Sequence, residues 1–330
     1  MNALERYQTP TIALAIAGGL VAGQFSGIPA IADRLILPFL LVMLLGAFLQ
    51  IPLADLREAV GNRRVAGASL AINFVWNPLL AVGLGLVFLQ DQPALWVGLL
   101  MLLVTPCTDW YLIFTDLADG DVALATSLLP YNLVLQLLLL PVYLAVFAGE
   151  LVTLPLETLA ESILLVLVIP LGAAAIGRVA LSRHFNESVV EETLLPALGP
   201  VQIVFLALAI AAMFASQSTV LVANPGVLAL LAVPVLAFYA LTFLLGLAVS
   251  AVAGFSYEET ACLSCTILSR NSPTALAIAV VAFPHEPLVA MALVIGPLLE
   301  LPLLHVVTRL LRRLRDRPRW ARTSVGAGVE

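Results

Sequence analysis

A cysteine behind a proline, and an arginine among hydroxyls and amides, interrupt two stretches of this chain that are otherwise apolar. The first interruption is Thr105-Pro106-Cys107-Thr108-Asp109 and the second is Ser269-Arg270-Asn271-Ser272-Pro273. A thiol in the first turn of a helix is favoured as the thiolate, a nucleophile and a ligand for soft metals; the plain alternative is a cysteine packed as a small hydrophobe. A guanidinium inside an apolar run needs a partner, which Asp109 or Glu300 can supply, either as a structural ion pair or as a moving part. Glu300, in Gly296-Pro297-Leu298-Leu299-Glu300-Leu301-Pro302, is a lone carboxyl in apolar surroundings and could carry a proton. Cys262 and Cys265 share a helix face. They read either as core cysteines or, if the two interrupted stretches cross, as two more thiols beside Cys107 for a soft ion. His184, His285 and His305 have no metal-ligand spacing, and there is no His-Glu-x-x-His, no deep aspartate pair and no serine–histidine pairing. An enzyme is not expected, nor a cofactor, a resident metal or a nucleic-acid partner.

The elements that position these residues follow from composition. Of 330 residues, 62% are apolar and 11% charged, where a soluble domain carries about 25% charge. Runs of about 20 apolar residues, enough to cross a bilayer, recur almost end to end, at roughly 10–25, 31–50, 65–89, 94–117, 122–148, 158–179, 194–215, 226–252, 259–283 and 287–311. The fold class expected is an all-α integral membrane protein of ten transmembrane helices. All 15 basic residues are arginine. Thirteen fall on one face of this arrangement: Arg6, three between spans 2 and 3, two between spans 6 and 7, and seven at the C-terminal end. The positive-inside rule then places both termini in the cytoplasm, with multi-pass insertion in the plasma membrane and an arginine-rich tail, 313–330, against anionic headgroups.

Ten spans divide into two fives, and an odd count per half inverts the second copy. The expected units are residues 1–148 (spans 1–5) and 149–312 (spans 6–10). Pro106 to Pro130 and Pro273 to Pro297 are both 24 residues, and a polar residue, Asn132 or Glu300, follows each second proline. Both interruptions fall at matching places, in spans 4 and 9. Unwound backbone in a bilayer is tolerated only where protein or a water-filled cavity satisfies it, so a matched pair of broken spans marks a transporter's binding site. Pro106 and Pro273 would start the second half-helices, with Thr105 and Ser272 as caps. Asn77-Pro78, Pro170 and Pro234 read as kinks, and the glycines of spans 1 and 3 as close-packing contacts. Asp116, Asp119 and Asp121 read as a solvated mouth.

Three stretches resemble the arsenite efflux permeases, a branch of the bile acid/sodium symporter superfamily: Pro106-Cys107-Thr108 with Gly120-Asp121 and Asn132; Ser269-Arg270-Asn271 with Ala275 to Ala279; and Gly296 to Pro302. The resemblance spans all ten helices. It implies a panel (spans 1, 2, 6, 7) and a core (spans 3–5, 8–10) in which broken helices 4 and 9 cross. It also implies that Cys107 and Glu300 are needed for metalloid export. The chain departs from the family at the second interruption, where those permeases are similar to one another in Ser-Asn-Asn-Phe-Glu. Sodium-coupled relatives resemble Glu-Thr-Gly-x-Gln-Asn there. Thr266 and Arg270 stand at the sodium-binding positions, and a fixed guanidinium repels sodium. The expected function is a secondary transporter exporting arsenite or antimonite by proton antiport, with the metalloid hydroxide held by Cys107, Thr108, Asp109, Arg270, Asn271 and Ser272, coupling at Glu300 and support from Asn132. The alternative is a proton- or sodium-coupled carrier of a small organic anion held by Arg270 and the half-helix N-termini.

Overall fold

The computed structural model describes residues 3–50, 62–107, 110–149, 156–186, 189–223 and 225–315. Their regular elements are helices: α1 (Ala3–Ala22), α2 (Ile28–Gln50), α3 (Arg63–Ala71), α4 (Asn77–Phe88), α5 (Pro93–Val104), α6 (Trp110–Leu117), α7 (Val122–Tyr143), α8 (Leu156–Ile163), α9 (Ile169–His184), α10 (Leu195–Ser216), α11 (Ser218–Ala223), α12 (Pro225–Ala253), α13 (Tyr257–Leu268), α14 (Ser272–Ala282) and α15 (Pro287–Arg315). Among the described residues there is no strand beyond one isolated bridge. Seven helical runs there are long and apolar enough to cross a membrane, counting α3–α4 (Arg63–Phe88) and α8–α9 (Ala160–His184) as one each. Three apolar helices are shorter, Pro10–Ala22, Pro93–Val104 and Ser272–Ala282. The short ones include a half of each interrupted stretch, because the interruptions do break the helix.

Prolines set the local geometry. Pro78 has no N–H to give the carbonyl of Phe74 four residues back. The chain widens there into a π turn, Ile72–Trp76, and the Tyr143 hydroxyl donates to the orphaned Phe74 carbonyl at 2.6 Å. Pro170 and Pro196 likewise follow the π turns Leu164–Val168 and Val190–Leu194. The reading of Asn77-Pro78 as a kink thus becomes a π turn with its freed carbonyl satisfied by another helix, as apolar surroundings demand.

α2 and α1 pack chiefly on α10, and α2 also on α9, whereas α5 packs on α15 and α4, and α13 on α12. Gly19 and Gly23 lie against the Ala211 and Ala215 carbonyls, so close that a methyl group on either would collide with backbone. This is the small-residue contact by which helices approach where no hydrophobic effect drives them together. Gly98 does the same between α5 and α15, where a Cβ would come within 2.6 Å of the Val289 carbonyl.

One end of the molecule gathers several polar connections. Ser256 and Glu259 form a capping box at the start of α13 (3.1 and 2.7 Å), a reciprocal pairing of side chains with orphan N–H groups. Asn62 donates to Glu259, Arg64 to the Ala253 carbonyl at 2.6 Å, and the Asp121 N–H to the Glu258 carbonyl at 3.1 Å. Asp119 pairs with Arg312 and Arg315. Asp121, for its part, caps α7 through the Leu124 N–H at 2.9 Å. The aspartates after α6 therefore do structural work at the face carrying Arg64 and the end of α15.

Candidate functional site

α5 ends at Val104 and α13 at Leu268, and beyond each the backbone turns extended, at Thr105 and Ser269. The two extended segments cross antiparallel, Pro106 opposite Arg270. Cys107 N–H donates to the Ser269 carbonyl (3.0 Å) and Asn271 N–H to the Thr105 carbonyl (2.8 Å). Each break thereby satisfies the other's main chain, which unwound backbone away from water requires. The helices that lead into the two breaks are related by a constant shift along the chain. Pro93 to Tyr257 and Val104 to Leu268 are each 164 positions, as is Pro106 to Arg270.

That register corrects the sequence reading of the caps. Pro273 does lie in the first turn of α14. Pro106 does not start α6; it sits in the crossing itself. Thr105 turns its hydroxyl back to the Met101 carbonyl (2.8 Å), closing α5 instead of opening α6. Ser272 is already helical, its hydroxyl facing Gly296, where a Cβ would stand 2.5 Å from it. The side chains that accept N–H groups at the two helix starts are others: Cys107, two residues after Thr105, whose Sγ accepts the Trp110 N–H (3.3 Å), and Asn271, one before Ser272, whose Oδ1 accepts the Thr274 N–H (3.2 Å). The prolines misled because they repeat at 167 positions, three out of register with the backbone.

Arg270 is 2% exposed and Glu300 5%. Glu300 Oε1 accepts the backbone N–H of Arg270 at 2.7 Å. The guanidinium donates to main-chain and amide oxygens: Nε to Leu268 O (3.3 Å), Nη1 to Leu103 O (3.0 Å), and Nη2 to Asn73 Oδ1 (2.8 Å) and Ile267 O (2.7 Å). It also lies over the Phe238 ring at 5.5 Å. Glu300, one of the two partners expected for the guanidinium, meets Arg270 at its peptide N–H, while the guanidinium hydrogen bonds described above go to neutral oxygens. Asp109, the other expected partner, and Thr108 lie outside the described residues.

A small cavity with room for about one water molecule adjoins the crossing. Ile12 of α1 and Leu206 and Ile210 of α10 line one side; Trp110, Arg270, Pro273 and Glu300 line the other. Cys107 does not line it and is buried, 1% exposed. Asn132 and Gln136, one turn apart on α7, are buried with all four amide atoms lacking a hydrogen-bond partner among the described residues. Cys262 and Cys265 are buried in α13, and no three metal-binding side chains come together among the described residues; a three-thiol site does not form there.

Sequence reasoning missed four residues of this neighbourhood. Asn73 and Asn77 donate to the Thr266 and Ile267 carbonyls (3.4 and 3.2 Å), and Thr242 donates to Asn77 Oδ1 (3.3 Å). Two amides four apart in an apolar run were the available signal. Tyr239 is 95% buried with its hydroxyl unpartnered among the described residues.

The chain is similar to the arsenical-resistance protein Acr3 of Corynebacterium glutamicum, 29% identical over 91% of this chain and 86% of that protein. It is also similar to Acr3 of Alkaliphilus metalliredigens, 24% identical over 94% and 93% of the two chains, and to an uncharacterised transporter of Synechocystis, 26% identical over 95% and 89%. The family model described as Sodium Bile acid symporter family matches residues 37–224, more than half of the sequence. With its apolar helices and paired helix breaks, this multi-pass membrane transporter belongs to that family.

Proposed function

We propose that the protein exports trivalent metalloid hydroxide, arsenite or antimonite, in exchange for protons. The observation that carries the reading is the crossing of two broken helices with Cys107 as the cap of one and Glu300 bonded to the other. As(OH)3 is neutral, so a soft sulfur is the natural group to recognise it, and a cap position favours the thiolate. Thr108, Asp109, Asn271 and Ser272 would complete the cradle, with Asn132 in support. Glu300, protonated from one side and released to the other, would couple transport to the proton gradient.

The ten-span reading, with repeats at 1–148 and 149–312, is supported by the 164-residue shift, which carries α5 onto α13. Under that reading α1, α2, α9 and α10 form the panel and the remaining long helices the core. Alternating access is then a rocking of the core against the panel, which widens a cavity that lies between the two. The arginine distribution supports cytoplasmic termini, and the plasma membrane is the location that metalloid export would need. Similarity to two arsenical-resistance proteins supports the cargo. The organic-anion reading loses ground because the guanidinium donors meant for the anion are committed to protein oxygens.

The test is arsenite uptake by inside-out vesicles under an imposed gradient, acid inside. Gradient-driven accumulation is expected, lost on Cys107→Ser. Accumulation indifferent to the proton gradient would remove the coupling, and unaltered uptake by the serine variant would remove the thiol.

A further inference from the structure

The last carbonyls of a helix have no N–H partner within it and carry the negative end of its dipole. Two such ends converge at the crossing: Leu103 near the end of α5, and Ile267 and Leu268 at the end of α13. Arg270 reaches into that convergence, and its guanidinium hydrogen-bonds the Leu103, Ile267 and Leu268 carbonyls and the Asn73 amide oxygen at 2.7–3.3 Å. Every one of those acceptors is a neutral oxygen. Asn73 and Asn77 give their own N–H groups to the Thr266 and Ile267 carbonyls, and Thr242 fixes Asn77, so the oxygens are held in place from behind. A full positive charge ringed by neutral, preorganised oxygens at half-helix C-termini has the chemistry of a monovalent-cation site. Carriers with broken helices coordinate their exchangeable coupling cation in such a place.

We propose that Arg270 is a tethered cation, permanently filling the position where an exchangeable ion such as sodium would otherwise sit. Its role is positioning: it holds the two half-helix ends together through every step and touches no cargo. Cation coupling at this place is thereby removed from the cycle, and the carrier runs without sodium. The transport consequence rests on the metalloid-export reading above; the stability consequence does not.

The experiment uses the full chain in detergent and in proteoliposomes. Wild-type thermal midpoint and arsenite transport are measured in sodium chloride and in potassium chloride, with equal values expected. A wild type stimulated by sodium overturns the proposal. Arg270→Ala empties the ring. Its midpoint is expected to fall, and roughly 10 mM guanidinium, far below the molar range of denaturation, is expected to raise it by about 2 °C or more. The wild type should show no such rise. An alanine variant that folds but is indifferent to guanidinium and to sodium alike overturns the proposal. Should that variant fail to fold, Arg270→Lys decides: its single ammonium fills the ring and should keep the protein folded and sodium-independent, and a sodium-requiring lysine variant overturns the idea. Absence of arsenite transport by the wild type would sink the export reading while leaving the thermal comparisons to decide this one.

Discussion

At the first break Pro106 has no N–H to offer, and the residue 164 positions after it, Arg270, gives its N–H to Glu300. The counterpart of Glu300 under the same shift is Gln136, whose amide finds no partner among the described residues. The counterpart of the cap Cys107 is the cap Asn271. Under the two-repeat reading, one backbone arrangement carries two chemistries. Among the described residues, the second break holds the charges, a guanidinium among carbonyls and a carboxyl on a peptide N–H; the first holds a thiol and neutral amides. The division is physically sensible. A carboxylate facing a proline would be buried without a donor, at a cost of several kcal/mol, so the acid belongs opposite the residue that has an N–H.

The largest effect should come from the charged half. Glu300→Gln keeps an oxygen for the Arg270 N–H and so keeps the fold, but it cannot exchange a proton. Proton-driven arsenite export is expected to fall about 100-fold or more, on the scale of losing a general acid–base group, with a near wild-type thermal midpoint. Retained proton-driven export would break the contrast between the halves. The converse exchange, Gln136→Glu, places a carboxyl where Pro106 offers nothing, and loss of roughly 3 kcal/mol or more of stability is expected, read as a lower unfolding temperature.

In the neutral half Cys107→Ser leaves a hydroxyl that can still cap α6, so stability should change by less than about 1 kcal/mol. Metalloid export should nevertheless drop at least about tenfold, since oxygen is a poorer ligand for a soft centre. Cys107→Ala should lose the same transport and about 1 kcal/mol more stability with the cap. Equal transport by the serine variant and wild type would leave the thiol with nothing but capping to do.

These contrasts also show what the sequence could convey. The breaks were legible because polar residues and proline inside an apolar run have few explanations in lipid. Their register was not: Pro106 and Pro273 look equivalent on paper, yet one lies in the crossing and the other in a helix. A cysteine cap escaped notice because cap preferences concern oxygen side chains. Asn73 and Asn77 were hidden by the π turn that Pro78 imposes, which no periodicity of 3.6 reveals. Tyr239 reads from sequence as one more aromatic in an apolar helix; only its buried, unpartnered hydroxyl singles it out.

A smaller effect separates the halves at Pro78. The residue 164 positions on is Thr242, which has its N–H, and the counterpart of Tyr143 is Val307. Only the first half needs a hydroxyl for an orphaned carbonyl. Tyr143→Phe should therefore cost about 1–2 kcal/mol, the penalty of a buried unpaired acceptor, measured as a lowered thermal midpoint. No comparable cost is expected for Val307→Ala beyond its lost methyl groups, about 1 kcal/mol.

The smallest effect is expected where the halves meet water. Asp119 follows α6 and faces Arg312 and Arg315 at 3.3 and 3.1 Å, with half of each arginine side chain exposed. Its counterpart after α14 is Phe283, buried at 7% exposure, so one turn is held by charge and the other by apolar packing. Exposed ion pairs contribute at most about 1 kcal/mol and are screened by salt. Asp119→Asn should lower the thermal midpoint slightly in dilute buffer and not at all in molar salt. Phe283→Ala should lower it by about 3 kcal/mol at either ionic strength. A large, salt-insensitive loss on Asp119→Asn would mean that this turn is buried against the arginine helix more tightly than its exposure indicates, and the two ends of the repeat would then be held by the same kind of force.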